Sequence, residues 1–288
     1  MKKRSLFAVL MTISSISLTT QTSQAADAQN IENVVIHLER QLEAQIGVAV
    51  INIKDNSDWY YKADQRFPMA STFKLAACAA LLNEGKLQLD QSVDIDESDI
   101  QEYAPVTKKL VGKKVTASEL CAITMRTSDN TAANKVLEVL GGPDRITAFV
   151  RSIGDDTTNF NRYEPDLNEG KPGDERDTTT PRAMAFLLKK LMFGTSLSEG
   201  NKSQLKEWMI RNEVSGPLLR AGIPQSWVIA DRSGAGGYGT RGIAAVMWPD
   251  QNGPIITTIY ITQTQSSMEE RNSAIATIGK AIAAGFAR

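Results

Sequence analysis

Strand-like segments stand near both ends of this 288-residue chain, and a long helical stretch separates them. An amphipathic segment at 31–44 precedes residues 46–53, which are rich in β-branched side chains. From about residue 71 to 208 the apolar spacing is helical, with Gly, Pro and Asp between segments. Strand signals return within 227–262. One sheet must therefore be assembled from both ends of the chain around a helical insert.

Two periodicities place the elements within this frame. The predicted helices cover residues 31–44, 73–84, 117–125, 131–140, 143–152, 181–193, 203–208 and 268–286. The predicted strands cover residues 46–53, 59–61, 227–230, 242–248 and 255–262. Residues 159–180 form the longest stretch without regular pattern, and loops of that length in compact domains are commonly functional.

The first 25 residues differ in kind from the rest. Three cations at positions 2–4 precede an uncharged, mostly apolar run over 5–18, and small residues lead up to Ala25. This pattern is typical of a secretory signal peptide cleaved near Ala25. The alternative, a membrane anchor, would need an apolar run of ~20 residues. We therefore expect a protein secreted to the periplasm, with no membrane attachment after cleavage.

The charge of the chain argues against large anionic partners. Its formal net charge is -1, and removal of the three signal cations makes it -4. Such a chain has no basic field to hold nucleic acid or an anionic membrane surface. No apolar interface stripe stands out, so we expect a monomer that acts on a small molecule.

His37 is the only histidine, and it precedes the first predicted strand. A Ser-His-Asp triad and a His-ligated zinc site are therefore nearly excluded. The chemistry must use serine, lysine and carboxylates, and we expect neither a metal nor an organic cofactor.

Both cysteines, Cys78 and Cys121, fall in the expected mature chain. In an oxidising compartment an even pair is expected to form a disulfide. Two separate buried thiols are the alternative, and sequence spacing alone leaves both open.

Ser71 and Lys74 open the first helix of the insert, where a spacing of three puts hydroxyl and amine on one helix face. A buried lysine there loses its proton readily and can activate the serine. The signal is weak alone, because Ser203 and Lys206 repeat the spacing. We interpret that second pair as exposed helix surface.

Two further motifs have ordinary structural explanations. Ser128-Asp129-Asn130 lies between two predicted helices, where a helix N-cap is the simpler reading. Arg232-Ser233-Gly234 follows a predicted strand and precedes Ala235-Gly236-Gly237, so a glycine-rich hairpin turn is the default. The same glycines would let backbone approach a ligand closely.

The order of these motifs resembles the penicillin-recognising serine enzymes: Ser-x-x-Lys, then Ser-Asp-Asn, then a cation with Ser-Gly on a late strand. Glu164, Leu167 and Asn168 in the irregular loop are similar to the segment that distinguishes class A β-lactamases. Arg232 stands where that family usually carries Lys and resembles the carbenicillin-hydrolysing group. The resemblance covers essentially the whole mature chain.

The resemblance implies a fold and a domain division. The expected fold is α/β, an antiparallel sheet flanked by terminal helices with an inserted all-α domain. We place the α/β domain at residues 26–64 and 212–288 and the all-α domain at 65–211, including the loop 159–180. The active site is expected between the two domains.

The same resemblance implies roles for individual residues. Ser71 would open the β-lactam ring of penicillins, carbenicillin included, with Lys74 or Glu164 as its base and Ser128 as proton donor to the lactam nitrogen. The N-H groups of Ser71 and Ala235 would form the oxyanion hole, and Glu164 would activate the water for deacylation. Substrate contacts are implied for Asn130, Asn168, Arg232, Ser233, Gly234, Arg241 and Tyr103.

Two of these residues have competing explanations, and a further pair is expected to brace the loop. Arg241 is equally well explained as an exposed strand cation. Tyr103 forms either an aromatic wall of the site or a partly buried loop contact. Arg162 and Asp177 are expected to brace the loop, which matters only if the pair is buried, because surface ion pairs contribute only ~0–1 kcal/mol.

Other functions share part of this machinery. A cell-wall transpeptidase or carboxypeptidase would use the same serine and lysine without Glu164 and Asn168. A penicillin-sensing receptor domain would need a membrane segment after the signal. A non-catalytic binding domain leaves four motifs in register unexplained.

Overall fold

The computed structural model describes residues 13–250 and 252–286, with side chains from residue 27 onward. The first helix, α1, spans Ile13–Gln41. Residues 1–12, which carry the cations and part of the apolar run of the expected signal peptide, lie outside the described residues. Among those described, no helix combines the length and apolar character required to cross a membrane.

A five-stranded antiparallel sheet joins the two ends of the chain in the order β2-β1-β9-β8-β7. In the middle of the sheet, Val48 pairs with Ile259 over a sequence separation of about 210 residues. Strand β7 lies at the edge. The strands are β1 (Gln45–Asn52), β2 (Asp58–Tyr61), β7 (Val228–Ala235), β8 (Arg241–Trp248) and β9 (Ile255–Thr262).

The terminal helices cover one face of this sheet. The last helix, α10 (Met268–Phe286), buries Ile275, Ile278 and Ile282 against side chains of α1 and of that sheet face. This is the apolar helix face predicted from the sequence, because positions four and three residues apart lie on one side of a helix.

The helical insert covers the other face of the sheet and forms a larger core with it. Helix α2 buries every residue from Phe73 to Leu82, as its run of apolar and alanine side chains requires. The Cys78–Cys121 disulfide ties α2 to α4, so the disulfide prediction is confirmed. The insert helices are α2 (Phe73–Glu84), α3 (Lys86–Leu89), α4 (Ala117–Thr127), α5 (Asn130–Leu140), α6 (Pro143–Ser152), α7 (Pro181–Phe193) and α8 (Glu199–Ile210); α9 (Leu219–Gly222) follows.

Two short ladders lie in the part of the chain predicted to be helical or irregular. Strand β3 (Phe67–Pro68) pairs with β6 (Thr178–Thr179), and β4 (Ser92–Asp94) pairs with β5 (Lys114–Thr116). Runs of two or three residues are too short to produce a readable alternation. The first ladder positions the site, because it joins the segment before Ser71 to the end of the loop 159–180.

Candidate active site

Ser71 and Lys74 lie at the start of α2, preceded by a short 3-10 helix over Ala70–Thr72. Lys74 is fully buried, and its Nζ donates to Ser71 Oγ at 2.9 Å. Burial lowers the pKa of Lys74 from its usual 10.5 to about 8, although the nearby Glu164 carboxylate opposes that shift. The spacing of three therefore places a lysine with a reduced pKa directly beside the serine hydroxyl.

Ser128 and Asn130 bring the second motif to the same lysine. Lys74 Nζ lies 2.8 Å from the Ser128 carbonyl oxygen, 3.2 Å from Ser128 Oγ and 2.7 Å from Asn130 Oδ1. Ser128 adopts a left-handed conformation with φ of 65°, which is uncommon for a residue other than glycine. This turn between α4 and α5 aims both its carbonyl and its hydroxyl at Lys74.

Asp129 explains why the motif also suggested a helix cap. It is the N-cap of α5, and its carboxylate accepts the N-H of Ala132 at 2.9 Å. The same carboxylate accepts the N-H groups of Val106 and Thr107. Helix capping therefore explains Asp129, the middle residue of the motif, whereas Ser128 and Asn130 face the site.

Glu164 completes the group around Lys74. Its carboxylate is buried, with Oε1 3.0 Å from Lys74 Nζ and 3.4 Å from Ser71 Oγ. Asn168 Nδ2 donates to Oε2 of the same carboxylate. The Asn168 Oδ1 atom is buried and has no hydrogen-bond partner within residues 13–250 and 252–286. Serine, lysine and glutamate thus form one contiguous buried cluster with Asn168 at its edge.

Asn134 of α5 fixes the backbone at Glu164, a role that the sequence analysis missed. Its side-chain nitrogen donates to the Glu164 carbonyl at 2.9 Å, and its side-chain oxygen accepts the Glu164 N-H at 2.9 Å. The two residues are 30 positions apart, so no local spacing could have linked them. The buried side of α5 also carries Thr131 and Lys135, so a polar residue at position 134 gives no distinct signal in the sequence.

Arg162 and Asp177 form an ion pair across the ends of the loop. Arg162 Nε lies 2.6 Å from Asp177 Oδ2, and the side chains are only 16% and 5% exposed. Asp177 also accepts the backbone N-H groups of Asn161 and Arg162, and its carbonyl accepts the N-H of Met69. The pair is therefore buried enough to matter, and it connects the loop to the segment that carries Ser71.

Arg232-Ser233-Gly234 lies within β7, so the hairpin-turn reading is wrong for these residues. Eight residues of β7 pair with β8, from Val228 opposite Trp248 to Ala235 opposite Arg241. The chain turns only after Ala235, where Gly236 N-H donates to Thr240. Strand pairing has overridden the local preference of Ser and Gly for turns.

Arg232 is the largest fully buried side chain among the described residues. Its Nη2 donates to Ser128 Oγ, while Nε and Nη1 have no hydrogen-bond partner in the described part of the chain. Burial lowers the pKa of Arg232 to about 10. Unpartnered buried donors on a cation are costly, which is a signature of a site for an anionic ligand.

The glycines of β7 and its turn permit close backbone approaches. A Cβ on Gly234 would come within 2.8 Å of Ser71 N and Met69 O, and one on Gly237 within 2.2 Å of Glu169 O. Gly237 N-H also donates to the Asn168 carbonyl at 2.8 Å. The end of β7 therefore lies against both the nucleophile segment and the Glu164 loop.

Arg241 begins β8 and is 8% exposed, so the exposed-cation reading is wrong. Its Nη1 donates to the Gly234 carbonyl at 3.1 Å and its Nε to Asn272 Oδ1 at 2.8 Å. Burial, together with the nearby cation of Arg271, lowers the pKa of Arg241 to about 10.

The remaining predicted residues lie at the margin of this group. Ser233 is 2% exposed and accepts a hydrogen bond from Ser215. Tyr103 is 50% exposed, and its carbonyl accepts the N-H of Asn130 at 2.9 Å.

The second Ser-x-x-Lys pair lies on α8, where Ser203 is exposed and Lys206 stacks on Trp248. No group of three or more His, Cys, Asp or Glu side chains suited to a metal occurs within residues 13–250 and 252–286.

Comparisons with known proteins agree with this geometry. Residues 27–286 match the family model described as "Beta-lactamase enzyme family". The β-lactamases PSE-4 and CARB-3 of Pseudomonas aeruginosa are each 51% identical to this chain over 257 residues, covering 88% of it and 89% of each relative. The crystal structure of the chromosome-encoded β-lactamase of Vibrio parahaemolyticus superposes with a TM-score of 0.86 at 45% identity, covering 89% of this chain and 98% of that one.

Proposed function

The chain belongs to the class A β-lactamases, and on that premise we propose which of its residues carry each step of the reaction. The protein is a serine hydrolase that opens β-lactam rings and thereby confers resistance. The similarity to PSE and CARB enzymes agrees with the carbenicillin-hydrolysing assignment made from Arg232. The predicted fold class is confirmed as well.

Ser71 Oγ attacks the lactam carbonyl carbon, and its proton goes to Lys74 or, through a water, to Glu164. Both candidate bases are in place: Lys74 Nζ is 2.9 Å and Glu164 Oε1 is 3.4 Å from the hydroxyl. The backbone N-H groups of Ser71 and Ala235 stabilise the developing oxyanion, a term that typically contributes about 10²–10³ in rate per donor. The close approach of β7 to the Ser71 segment supports this pairing.

Ser128 delivers a proton to the lactam nitrogen as the carbon–nitrogen bond breaks. Its hydroxyl lies 3.2 Å from Lys74 Nζ and accepts from Arg232 Nη2, so a proton supply and a cation adjoin it. Asn130, whose Oδ1 accepts from Lys74, holds the substrate amide. Tyr103 stands at the margin of the site as an aromatic wall.

Hydrolysis of the acyl-enzyme is assigned to Glu164 and Asn168. The observation that carries this step is the buried Glu164 carboxylate, which lies 3.4 Å from Ser71 Oγ and accepts a hydrogen bond from Asn168. Asn134 holds the backbone of Glu164. The unpartnered Asn168 Oδ1 adds an acceptor for one proton of the attacking water. Water addition releases the ring-opened acid and returns the proton to Ser71.

The carboxylate common to penicillins binds against β7. Arg232 contributes two donors that have no hydrogen-bond partner among the described residues, and Arg241 adds a second buried cation beside the Gly234 carbonyl. The planar guanidinium of Arg232 can bind a carboxylate with two parallel hydrogen bonds, which an ammonium cannot. Ser233 supplies a hydroxyl donor, and Gly234 allows the strand to approach the nucleophile.

The location, partners and domain division of the enzyme are also proposals. We propose secretion to the periplasm, a monomeric state, no nucleic-acid or membrane partner, and no cofactor. We also keep the division into an α/β domain (26–64 and 212–288) and an all-α domain (65–211) as a proposal.

The test separates a β-lactamase from a penicillin-binding enzyme that is acylated once. Mature protein is mixed with a large molar excess of benzylpenicillin, and ring opening and covalent mass are followed for wild type, Glu164→Ala and Glu175→Ala. We expect many turnovers by wild type and a stalled adduct on Ser71 in Glu164→Ala. Glu175 is an exposed glutamate of the same loop, so its variant should turn over normally. Consumption of one equivalent by wild type would overturn the assignment of Glu164.

A further inference from the structure

We propose that Ser215 is a positioning residue that orients the Ser233 hydroxyl toward the substrate carboxylate. The inference rests on the proposed role of Ser233 in binding that carboxylate. Ser215 lies in the connection between α8 and α9 and is fully buried. Its Oγ donates to Ser233 Oγ at 3.0 Å, a contact that joins this connection to the edge strand β7.

Asn212 determines the direction of that hydrogen bond. Its Nδ2 donates to Ser215 Oγ at 2.5 Å and to Asp231 Oδ1 at 2.6 Å, while its Oδ1 accepts the N-H of Val214. The amide is therefore held in one orientation, with its nitrogen facing Ser215. Ser215 Oγ accepts from Asn212, and the geometry of its contact with Ser233 makes Ser215 the donor there, although the Asp231 carboxylate is a second acceptor within its reach.

Ser233 then has an acceptor site occupied and its own proton left to donate. A freely rotating hydroxyl would point its proton toward different acceptors at different times. The substrate would then have to reorient it on binding. The hydrogen bond from Ser215 restricts the orientation of the Ser233 hydroxyl before the substrate binds. Pre-orientation of a donor lowers the entropic cost of binding.

Asp231 anchors the arrangement from the other side. It is fully buried, and burial raises its pKa. Arg220 Nε lies 2.8 Å from Asp231 Oδ2, an ion pair without hydrogen-bond geometry. Asp231 and Ser233 are two residues apart on β7 and share a face, whereas Arg232 between them points to Ser128. The ion pair with Arg220 therefore holds the strand at the residue before Arg232, and Ser215 contacts it at the residue after.

We predict that removing the Ser215 hydroxyl weakens the binding of substrates that carry the carboxylate. In Ser215→Ala the Ser233 hydroxyl loses its donor, so the KM for benzylpenicillin should rise about 3- to 10-fold while kcat changes less than about 2-fold. The methyl ester of benzylpenicillin lacks the charged acceptor and should lose little. Ser215→Thr keeps a hydroxyl and should restore the wild-type KM.

The experiment measures kcat and KM on the acid and the ester for wild type, Ser215→Ala, Ser215→Thr, Ser233→Ala and the double alanine variant, with thermal melting of each. A carboxylate-selective rise in KM in Ser215→Ala, rescued by threonine and absent on the Ser233→Ala background, supports the inference. If Ser233→Ala shows a carboxylate-selective rise in KM but Ser215→Ala raises KM equally on acid and ester, or not at all, the inference is overturned. A Ser233→Ala variant without carboxylate selectivity overturns the proposed role of Ser233 and this inference with it.

Discussion

The site has two walls, a helical wall with Lys74 and Glu164 and a strand wall formed by β7 with Arg232. They differ in how their buried charges are paired. On the helical wall, Lys74 and Glu164 lie 3.0 Å apart, and each is surrounded by serine and asparagine side chains. On the strand wall, Arg232 is equally buried but keeps two nitrogens without a partner in the described residues. We therefore expect the charges of the helical wall to be satisfied by each other, and those of the strand wall to be satisfied only when an anionic ligand binds.

The largest effect should come from removing the cation of the helical wall. Lys74→Met leaves the Glu164 carboxylate buried without its partner, which is strongly destabilising, up to about 3–5 kcal/mol of unfolding free energy. We also expect kcat/KM to fall about 10²–10⁴-fold, equally for benzylpenicillin and its methyl ester.

Steady-state kinetics and denaturant unfolding measure both quantities. Lys206→Met is the matched control, because it alters the second Ser-x-x-Lys pair on α8 and should leave the activity unchanged. A Lys74→Met protein of wild-type stability would contradict the idea that the helical wall is internally paired.

Removal of the strand-wall cation should have the opposite effect on stability. Arg232→Met replaces an incompletely satisfied buried charge with an apolar side chain, so the unfolding free energy should stay unchanged or rise by about 1 kcal/mol. The kcat/KM for benzylpenicillin should fall about 10²-fold, as for loss of a charge-assisted hydrogen bond, and that for the ester should fall less.

Arg232→Lys refines this comparison, since it keeps the charge but not the bidentate fork. We expect it to lie between wild type and Arg232→Met on the acid. An unfolding free energy lowered by several kcal/mol in Arg232→Met would show that the strand wall is satisfied without ligand.

The brace of the loop should affect activity more than stability. Asp177→Ala removes the acceptor for Arg162 and for two backbone N-H groups, and the loop can then open locally without global unfolding. We expect deacylation to slow about 30-fold and the unfolding free energy to fall by less than about 1 kcal/mol. Asp177→Asn, which tolerates the φ of 54°, separates loss of charge from backbone strain. Equal free-energy losses in activity and stability would refute a specific positioning role.

The helical wall was predicted more completely than the strand wall. A spacing of three on a helix fixes the relative position of Ser71 and Lys74, so the motif carries its own geometry. On β7 the predicted strand ended at residue 230, because Ser233 and the glycines favour turns. The pairing of β7 with β8 through the turn at 236–240 extends the strand to Ala235, whereas the Ser and Gly residues alone indicated an earlier turn.

The supporting residues could not be found from the sequence at all. Asn134 contacts Glu164 across 30 positions, and Asn212 contacts Asp231 across 19. Polar residues of these types are ordinary on helix and loop surfaces, and only the tertiary fold shows that they are buried. The short β3–β6 ladder, which aligns the loop with the nucleophile, is likewise a product of tertiary packing.

The smallest predicted effect is a shift in the titration of Lys74, and it tests whether the walls act on one another. The pKa of Lys74 is about 8, because burial lowers it most, Glu164 raises it and Arg232 lowers it. Glu164→Gln removes an anion that favours the charged amine, so the Lys74 pKa should fall; Arg232→Met removes a repelling cation, so it should rise. NMR titration of ¹³C-labelled lysine measures both shifts. In wild type the unfolded chain binds more protons between pH 8 and 10.5, so this group makes stability rise with pH there. In Glu164→Gln that rise should begin at lower pH, and shifts of one sign in both variants would contradict the electrostatic coupling of the two walls.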